Sequence, residues 1–411
     1  SPFCPSAFFM RSTFIFITLL LPVLADPAAV VTLDSVADRV RSQNPHLAAA
    51  RLMVDEAVGR MKQAGRLENP EIEIGFDHND RFAEKSLELG LSQRFPVTHR
   101  LSLEKELGVT GVKAAEAEIR EVENRLIGEA RAAMVRVLAV RERRKLIEQQ
   151  ATLAKELAAF IDEVAEKGEA SVIEAGQAKL ETARFTTEGR QLAAEEQRNV
   201  GELKPLLGMK PGEPLHVSGG LPGLRMPPDA DASGRPALEI ARLAVVAAEQ
   251  EAAIERARRY GDMEAGFFVA GERVVDAPEA AGKEAVVGVR VSIPLPLWDK
   301  NEGNIEAAEA KAKRRRREVR ALNEGIQLEA EAARGEMLEW AELASQIENE
   351  LLPQAAEQTQ VAEKAWHEGQ SDLLTVFRAR EQRLDLAVAR LDALKQFHLA
   401  RVRYETALGQ P

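Results

Sequence analysis

Residues 286–304 read VVGVRVSIPLPLWDKNEGN. Val287, Val289, Val291, Ile293 and Leu295 share one side of an extended chain. Val286, Gly288, Arg290 and Ser292 take the other, because successive side chains alternate along a strand. Pro294 and Pro296 stop the pattern, and a long charged helical stretch follows. A strand of about ten residues with one wholly aliphatic face fits two settings: a half-buried sheet, or a barrel crossing a membrane.

The 411 residues carry a net charge of −11, which speaks against nucleic acid as a partner. Aromatic residues make up 5% and charged residues 29%, a balance that favours long exposed helices over one large globular core. From Met10 the chain reads as a secretory signal peptide: Arg11, an apolar run from Phe14 to Leu24, and small residues ahead of a cut near Asp26. That run is shorter than the roughly 20 residues a spanning helix needs. Residues 1–9 hold the sole cysteine, Cys4, so the mature chain is expected to have no disulfide and no lipidated cysteine. An exported chain without a helical anchor is either soluble beyond the inner membrane or held in an outer membrane by strands.

The chain repeats itself. Asn44–Ala57 (NPHLAAARLMVDEA) aligns with Arg235–Ala248 (RPALEIARLAVVAA). Strand-like pairs follow in each half: Pro70–Asp77 with Leu87–Val97, and Asp262–Gly271 with Val286–Leu295. Long helical stretches come next, 98–166 and 298–367, rich in Ala, Glu, Lys, Arg and Leu. Such helices extend roughly 100 Å at 1.5 Å per residue and must pair with others in a coiled-coil manner. Lys167–Glu181 then aligns with Glu368–Gln382, without a gap as far as Leu207-Gly208 and Leu408-Gly409. The expected organisation is 1–25 upstream residues and signal peptide, 26–209 first repeat, 210–234 Gly/Pro-rich linker, and 235–411 second repeat. The expected fold is mainly α with a small β part.

Four strands cannot close a membrane barrel, in which every backbone group needs a partner. Eight is the usual minimum, and three chains would supply twelve. A small soluble sheet packed on helices remains open on the strands alone.

The tandem repeat, the strand pair set between helices in each half, the turns at Gly168 and Gly369 and the two Leu-Gly endings resemble the TolC-type outer-membrane efflux channel family. The resemblance covers nearly all of the mature chain. Ser292–Asn304 (SIPLPLWDKNEGN) is most similar to the branch that exports heavy metals: cobalt, zinc and cadmium, or copper and silver. The resemblance implies a homotrimer in the outer membrane of a Gram-negative bacterium. Its twelve strands form an open β-barrel and its helices a periplasmic α-barrel, with the linker and the C-terminal tail around the tube's middle. On that reading Val287, Val289, Val291, Ile293 and Leu295 face lipid, while Arg290 and Ser292 face a wet lumen. Asp299, Asn301 or Asn304 caps the following helix.

The implied function is a passive exit duct with no cofactor and no covalent chemistry. Its partners are a periplasmic adaptor and an inner-membrane pump, proton-driven by expectation. The adaptor-contact tips are the turns with Gly168, Ser171, Gly369 and Asp372; the glycines permit reversal, and Ser171 and Asp372 are expected N-caps. Drug-exporting relatives carry an aspartate pair just past this turn. Thr375–Ala379 lacks it and has Arg378, so a gate is expected among Glu174, Thr375 and Arg378. The six histidines show no ligand spacing for a metal. The basic run Lys311–Arg317 reads as a solvated helix face balanced by glutamates, with a lumen-facing band or adaptor contact as the sharper alternative. No phosphate loop or nucleophile triad stands out. The alternative function is a periplasmic adaptor or coiled-coil interaction protein without a membrane barrel. Adaptors usually carry a single hairpin inserted in β-rich domains, and strands inside both repeats argue against one.

Overall fold

The structure, a computed structural model, describes residues 29–78, 85–167, 171–274 and 282–410. The expected signal peptide, Cys4 and Gly168 lie outside the described residues. In chain order the elements are β1 (Ala29–Val31), α1 (Val36–Gln43), α2 (Pro45–Gln63), β2 (Glu71–His78), β3 (Lys85–Phe95), α3 (Arg100–Glu166) and α4 (Val172–Leu206). Then come β4 (Leu215–Val217), α5 (Pro236–Ala257), β5 (Met263–Val274), β6 (Gly282–Ser292), α6 (Glu302–Gln346), a π-helical segment (Ile347–Leu351), α7 (Leu352–His367) and α8 (Leu373–Ala407).

The four long strands form one antiparallel sheet in the order β2-β3-β5-β6. Each strand runs into or out of a helix through a short junction, and the helices keep the same rank: α2 packs on α3, α3 on α5, and α5 on α6. The wall of strands thus continues as a wall of helices. Farther from the sheet, α3 and α4 form one antiparallel hairpin and α7 and α8 another, with α3 against α8.

The core is built twice. In the first half Leu47, Ile127, Met134, Leu138, Leu203 and Leu207 are fully buried together. In the second, Leu238, Ile326, Met337, Phe397 and Leu408 do the same. The repeated Leu-Gly endings have a mechanical cause. The amides of Gly208 and Met209 donate to the carbonyls of Pro205 and Lys204, and those of Gly409 and Gln410 to Thr406 and Glu405. This is the Schellman pattern, which needs a left-handed residue; both glycines have positive φ, 69° and 74°.

The linker straps the middle of the bundle. β4 pairs in parallel with β1, Arg141 donates to the Val217 carbonyl, and Asp229 pairs with Arg334. The His398 ring, buried on α8, bonds through Nε2 to the Pro222 carbonyl at 2.8 Å. Burial pushes this imidazole below the usual histidine range.

Four expectations need correction. The second long helix, expected unbroken over 298–367, is divided by the π-helical segment. Pro353 cannot donate to the carbonyl four residues back and its ring crowds it, and the turn widens just ahead of it. The β part is larger than expected: beside the expected four-stranded sheet, two three-residue strands, β1 and β4, pair across a long sequence interval. The ladder of β6 ends at Ser292, so Ile293 and Leu295 lie beyond it, with Pro294 ending donation. Finally, Asn301 occupies the N-cap of α6 but does not cap it. It adopts φ 59°, and its side-chain amide donates to the Glu255 backbone and carboxylate at 2.9 Å each, tying α6 to α5.

Candidate functional site

The register of the sheet sorts every strand onto two faces. One carries the rows Ile72–Leu91–Phe267–Val289 and Ile74–Leu89–Val269–Val287, each aligned across all four strands. All eight side chains are exposed, Val289 to 75%. Val291, Ile293 and Leu295 extend this apolar face toward the helices and are exposed as well. An apolar surface this continuous, with no covering element among the described residues, marks an interaction site rather than an ordinary solvent face.

The opposite face is polar and internally bonded. Arg290 reaches Glu88 at 3.0 Å and Glu73 at 3.5 Å, with its guanidinium 5.0 Å from the Phe268 ring centre. The Phe268 ring lies across Gly288, where a Cβ would come within 2.4 Å of it. Ser92 donates to Glu73 at 3.2 Å. Arg94 pairs with Glu264 at 3.3 Å and lies 3.7 Å from both Glu68 and Glu71. Five carboxylates thus share two guanidiniums. Where sheet meets helices, Arg100 at the start of α3 bonds Asp262 at 2.6 Å and Glu104 at 2.9 Å, joining the two halves.

At the far ends of the hairpins, the expected tip residues serve the turns themselves. Ser171 and Glu174 make a capping box: the Ser171 hydroxyl accepts from the Ile173 amide, and the Glu174 carboxylate accepts from the Ser171 amide at 2.9 Å. Gly369 has φ 71° and closes α7 in a Schellman turn, the Gln370 amide donating to Ala365. Asp372 caps α8, accepting from the Thr375 amide at 2.9 Å and also from its hydroxyl. The Thr375 hydroxyl and amide bonds hold the Asp372 carboxyl below the usual range. Arg378 is exposed and makes no ion pair among the described residues. Val172 and Ile173 stand exposed beside the first turn.

The link between the hairpins is one the sequence did not point to. Arg184 on α4 pairs with Glu381 on α8 and, one turn back, with Glu181 at 2.8 Å. Burial raises the Glu181 carboxyl against the pull of Arg184, and the nearby Glu381 adds to the rise. The spacing Glu181–Arg184 is visible in the sequence as a helical pair; the Glu381 contact depends on how the hairpins lie side by side.

The basic run on α6 is mostly matched by acids. Lys311 pairs with Glu251 and Arg316 with Glu249, both on α5, while Arg314 and Arg315 share Glu318. Among the described residues no group of three or more His, Cys, Asp or Glu could hold a metal ion, and no helix is long and apolar enough to cross a membrane.

No protein-family model matches the chain. It is 24% identical over 410 residues to the cobalt-zinc-cadmium resistance protein CzcC of Cupriavidus metallidurans, covering 96% of this chain and 90% of that protein. Its structure superposes on the outer-membrane channel OprN with a TM-score of 0.77 at 17% identity, over 92% of this chain and 90% of that one. CusC, whose structures concern transmembrane channel formation, gives 0.76 at 17% identity over 92% of both chains. Over nearly its full length the chain is similar in sequence to CzcC, and it shares the fold of the outer-membrane channels OprN and CusC, the likeness that the resemblance to TolC-type channels implies.

Proposed function

We propose that the chain is the outer-membrane component of a tripartite efflux system: a passive exit duct for heavy-metal cations that an adaptor and an inner-membrane pump deliver. The observation that carries the reading is the register of the sheet. Through the body of the sheet the strands put aliphatic rows on one side and the carboxylates with Arg94 and Arg290 on the other, and both sheet edges, β2 and β6, are unpaired among the described residues. Directions alternate through β2-β3-β5-β6, so β6 of one copy set against β2 of the next keeps the antiparallel pattern. Three copies close twelve strands without an edge, and closure satisfies every backbone group in lipid. The full-length likeness to CzcC supports metal cations as cargo.

The wall offers a bonded polar lining and no cluster suited to tight metal binding among the described residues, as suits a conduit that must release what enters it. The turns around Ser171, Gly369 and Asp372, with exposed Val172 and Ile173, are the surfaces for the adaptor. Opening at this end requires the hairpins to part, which breaks the Arg184–Glu381 contact. Arg378 lies within the field of Asp372 but makes no ion pair among the described residues, and it is available to an acid outside the chain. Fractionation of the host, detergent extraction and mass measurement of the intact complex test the reading. A detergent-requiring trimer in the outer membrane is expected; a soluble monomer or dimer would overturn it and favour a periplasmic adaptor.

A further inference from the structure

The end of the sheet farthest from the helices carries a second pattern. His78, Lys85, Arg273 and Lys283 are register partners and form one row across all four strands. They stand on the same side as the apolar rows, two residues beyond the row Phe76–Leu87–Gly271–Ala285. The adjacent row, Asp77–Ser86–Glu272–Glu284, points to the other face and holds the acids. Charge is therefore sorted by sign: bases on the apolar side, acids on the polar side. Lys85, Arg273 and Lys283 are exposed and make no ion pair among the described residues. The opposite end of the apolar face is different in kind. It ends in Leu295, Leu297 and Trp298, the last 93% exposed, an amphipathic ring at the height where such rings favour a membrane–water boundary.

Along β3 the apolar stretch from Leu87 to Phe95 spans about 27 Å at 3.4 Å per residue, or about 20 Å across the bilayer at a tilt of about 40°. The basic row then falls at the level of the headgroups of the outer leaflet, aimed at lipid and not at the lumen. Lys85, Arg273 and Lys283, without an ion pair among the described residues, level with one another and directed outward above an apolar band, match phosphate groups on lipid.

We infer that His78, Lys85, Arg273 and Lys283 form a belt that binds the phosphorylated headgroups of the outer-leaflet glycolipid. The inference rests on the barrel reading above. The test uses the detergent-purified assembly, titrated with bis-phosphorylated lipid A, with the same lipid after dephosphorylation, and with inorganic phosphate. Retained lipid is read by native mass spectrometry, and thermal midpoint is read alongside. Wild type is expected to retain the phosphorylated lipid and gain thermal stability. The triple variant Lys85→Gln, Arg273→Gln, Lys283→Gln is expected to bind it on the order of 100-fold more weakly, about fivefold for each cation removed. The variant Lys85→Arg, Lys283→Arg should bind as wild type does.

Equal retention of the dephosphorylated lipid, unchanged binding by the triple variant, or protection by inorganic phosphate alone would overturn the belt. Should the triple variant fail to assemble, the wild-type comparison of the two lipids decides by itself. A chain released without detergent would instead defeat the barrel reading. An outer-membrane assembly indifferent to lipid phosphate would defeat only the belt.

Discussion

At the scale of single residues, the caps and the buried histidine give the sharpest expectations. Ser171→Ala removes the hydroxyl that accepts from Ile173, a loss of about 1 kcal/mol in the first turn of α4. Amide exchange over residues 173–176 should quicken about fivefold while the sheet is unaffected. An unchanged rate would mean that the turn is held by something other than its cap. His398 makes a pH-dependent case. Its folded pKa lies below the unfolded value, so the stability it lends is complete above about 6.5 and is lost as pH falls through the folded value. Exchange across residues 219–226, corrected for intrinsic rates, should rise on acidification from 7.5 to 5.5. His398→Gln keeps a donor for the Pro222 carbonyl and should flatten that profile. The Ser171 and Asp372 caps were legible from the sequence, because cap chemistry is local. Arg184–Glu381 and His398–Pro222 were not, because each joins segments that only the packing of hairpins and linker brings together.

On the proposed barrel reading, elements carry the division between lipid and water. Val289 stands in the middle of β6 on the apolar face, and Ser292 on the polar face. Val289→Lys should cost about 2–4 kcal/mol, the range for a cation near the midplane of a barrel's lipid face. Ser292→Lys should stay within about 1 kcal/mol. Denaturation of the protein folded into lipid vesicles measures both; equal costs would mean that β6 does not separate two media. Strand periodicity made the faces of β2, β3, β5 and β6 readable from sequence. The break between α6 and α7 was less readable. Pro353 stood in plain view, yet whether a proline ends a helix, kinks it or widens one turn depends on the packing that surrounds it. β1 and β4 escaped notice because three residues carry no periodicity.

For the whole molecule, the polar face of the wall decides what the proposed duct admits. Around Arg94 and Arg290 it gathers Glu68, Glu71, Glu73, Glu88 and Glu264, and farther out Asp77, Glu272 and Glu284. An excess of acid along a water-filled path favours cations. Channels reconstituted in a planar bilayer across a potassium chloride gradient should give a reversal potential of the cation-selective sign. Glu73→Gln with Glu88→Gln should move it toward zero. Anion preference in wild type would place the other face inward. The twofold repeat and the overall fold were legible because duplication leaves matched Leu-Gly endings and matched strand pairs. The acidity of one particular face was not apparent until the register aligned the strands.

The sheet joins the two halves through β3 and β5, and in the proposed ring β6 and β2 of neighbouring copies would meet in the same fashion. A seam within the chain and a seam between chains are then two versions of one junction. A single ancestral half could have built the same wall as a ring of six, with gene fusion later halving the number of parts. The Gly/Pro-rich connection at 210–234 would on this view be a product of that fusion, put to a second use as a strap. Two halves expressed as separate polypeptides, cut within that connection, should still find each other and close the ring.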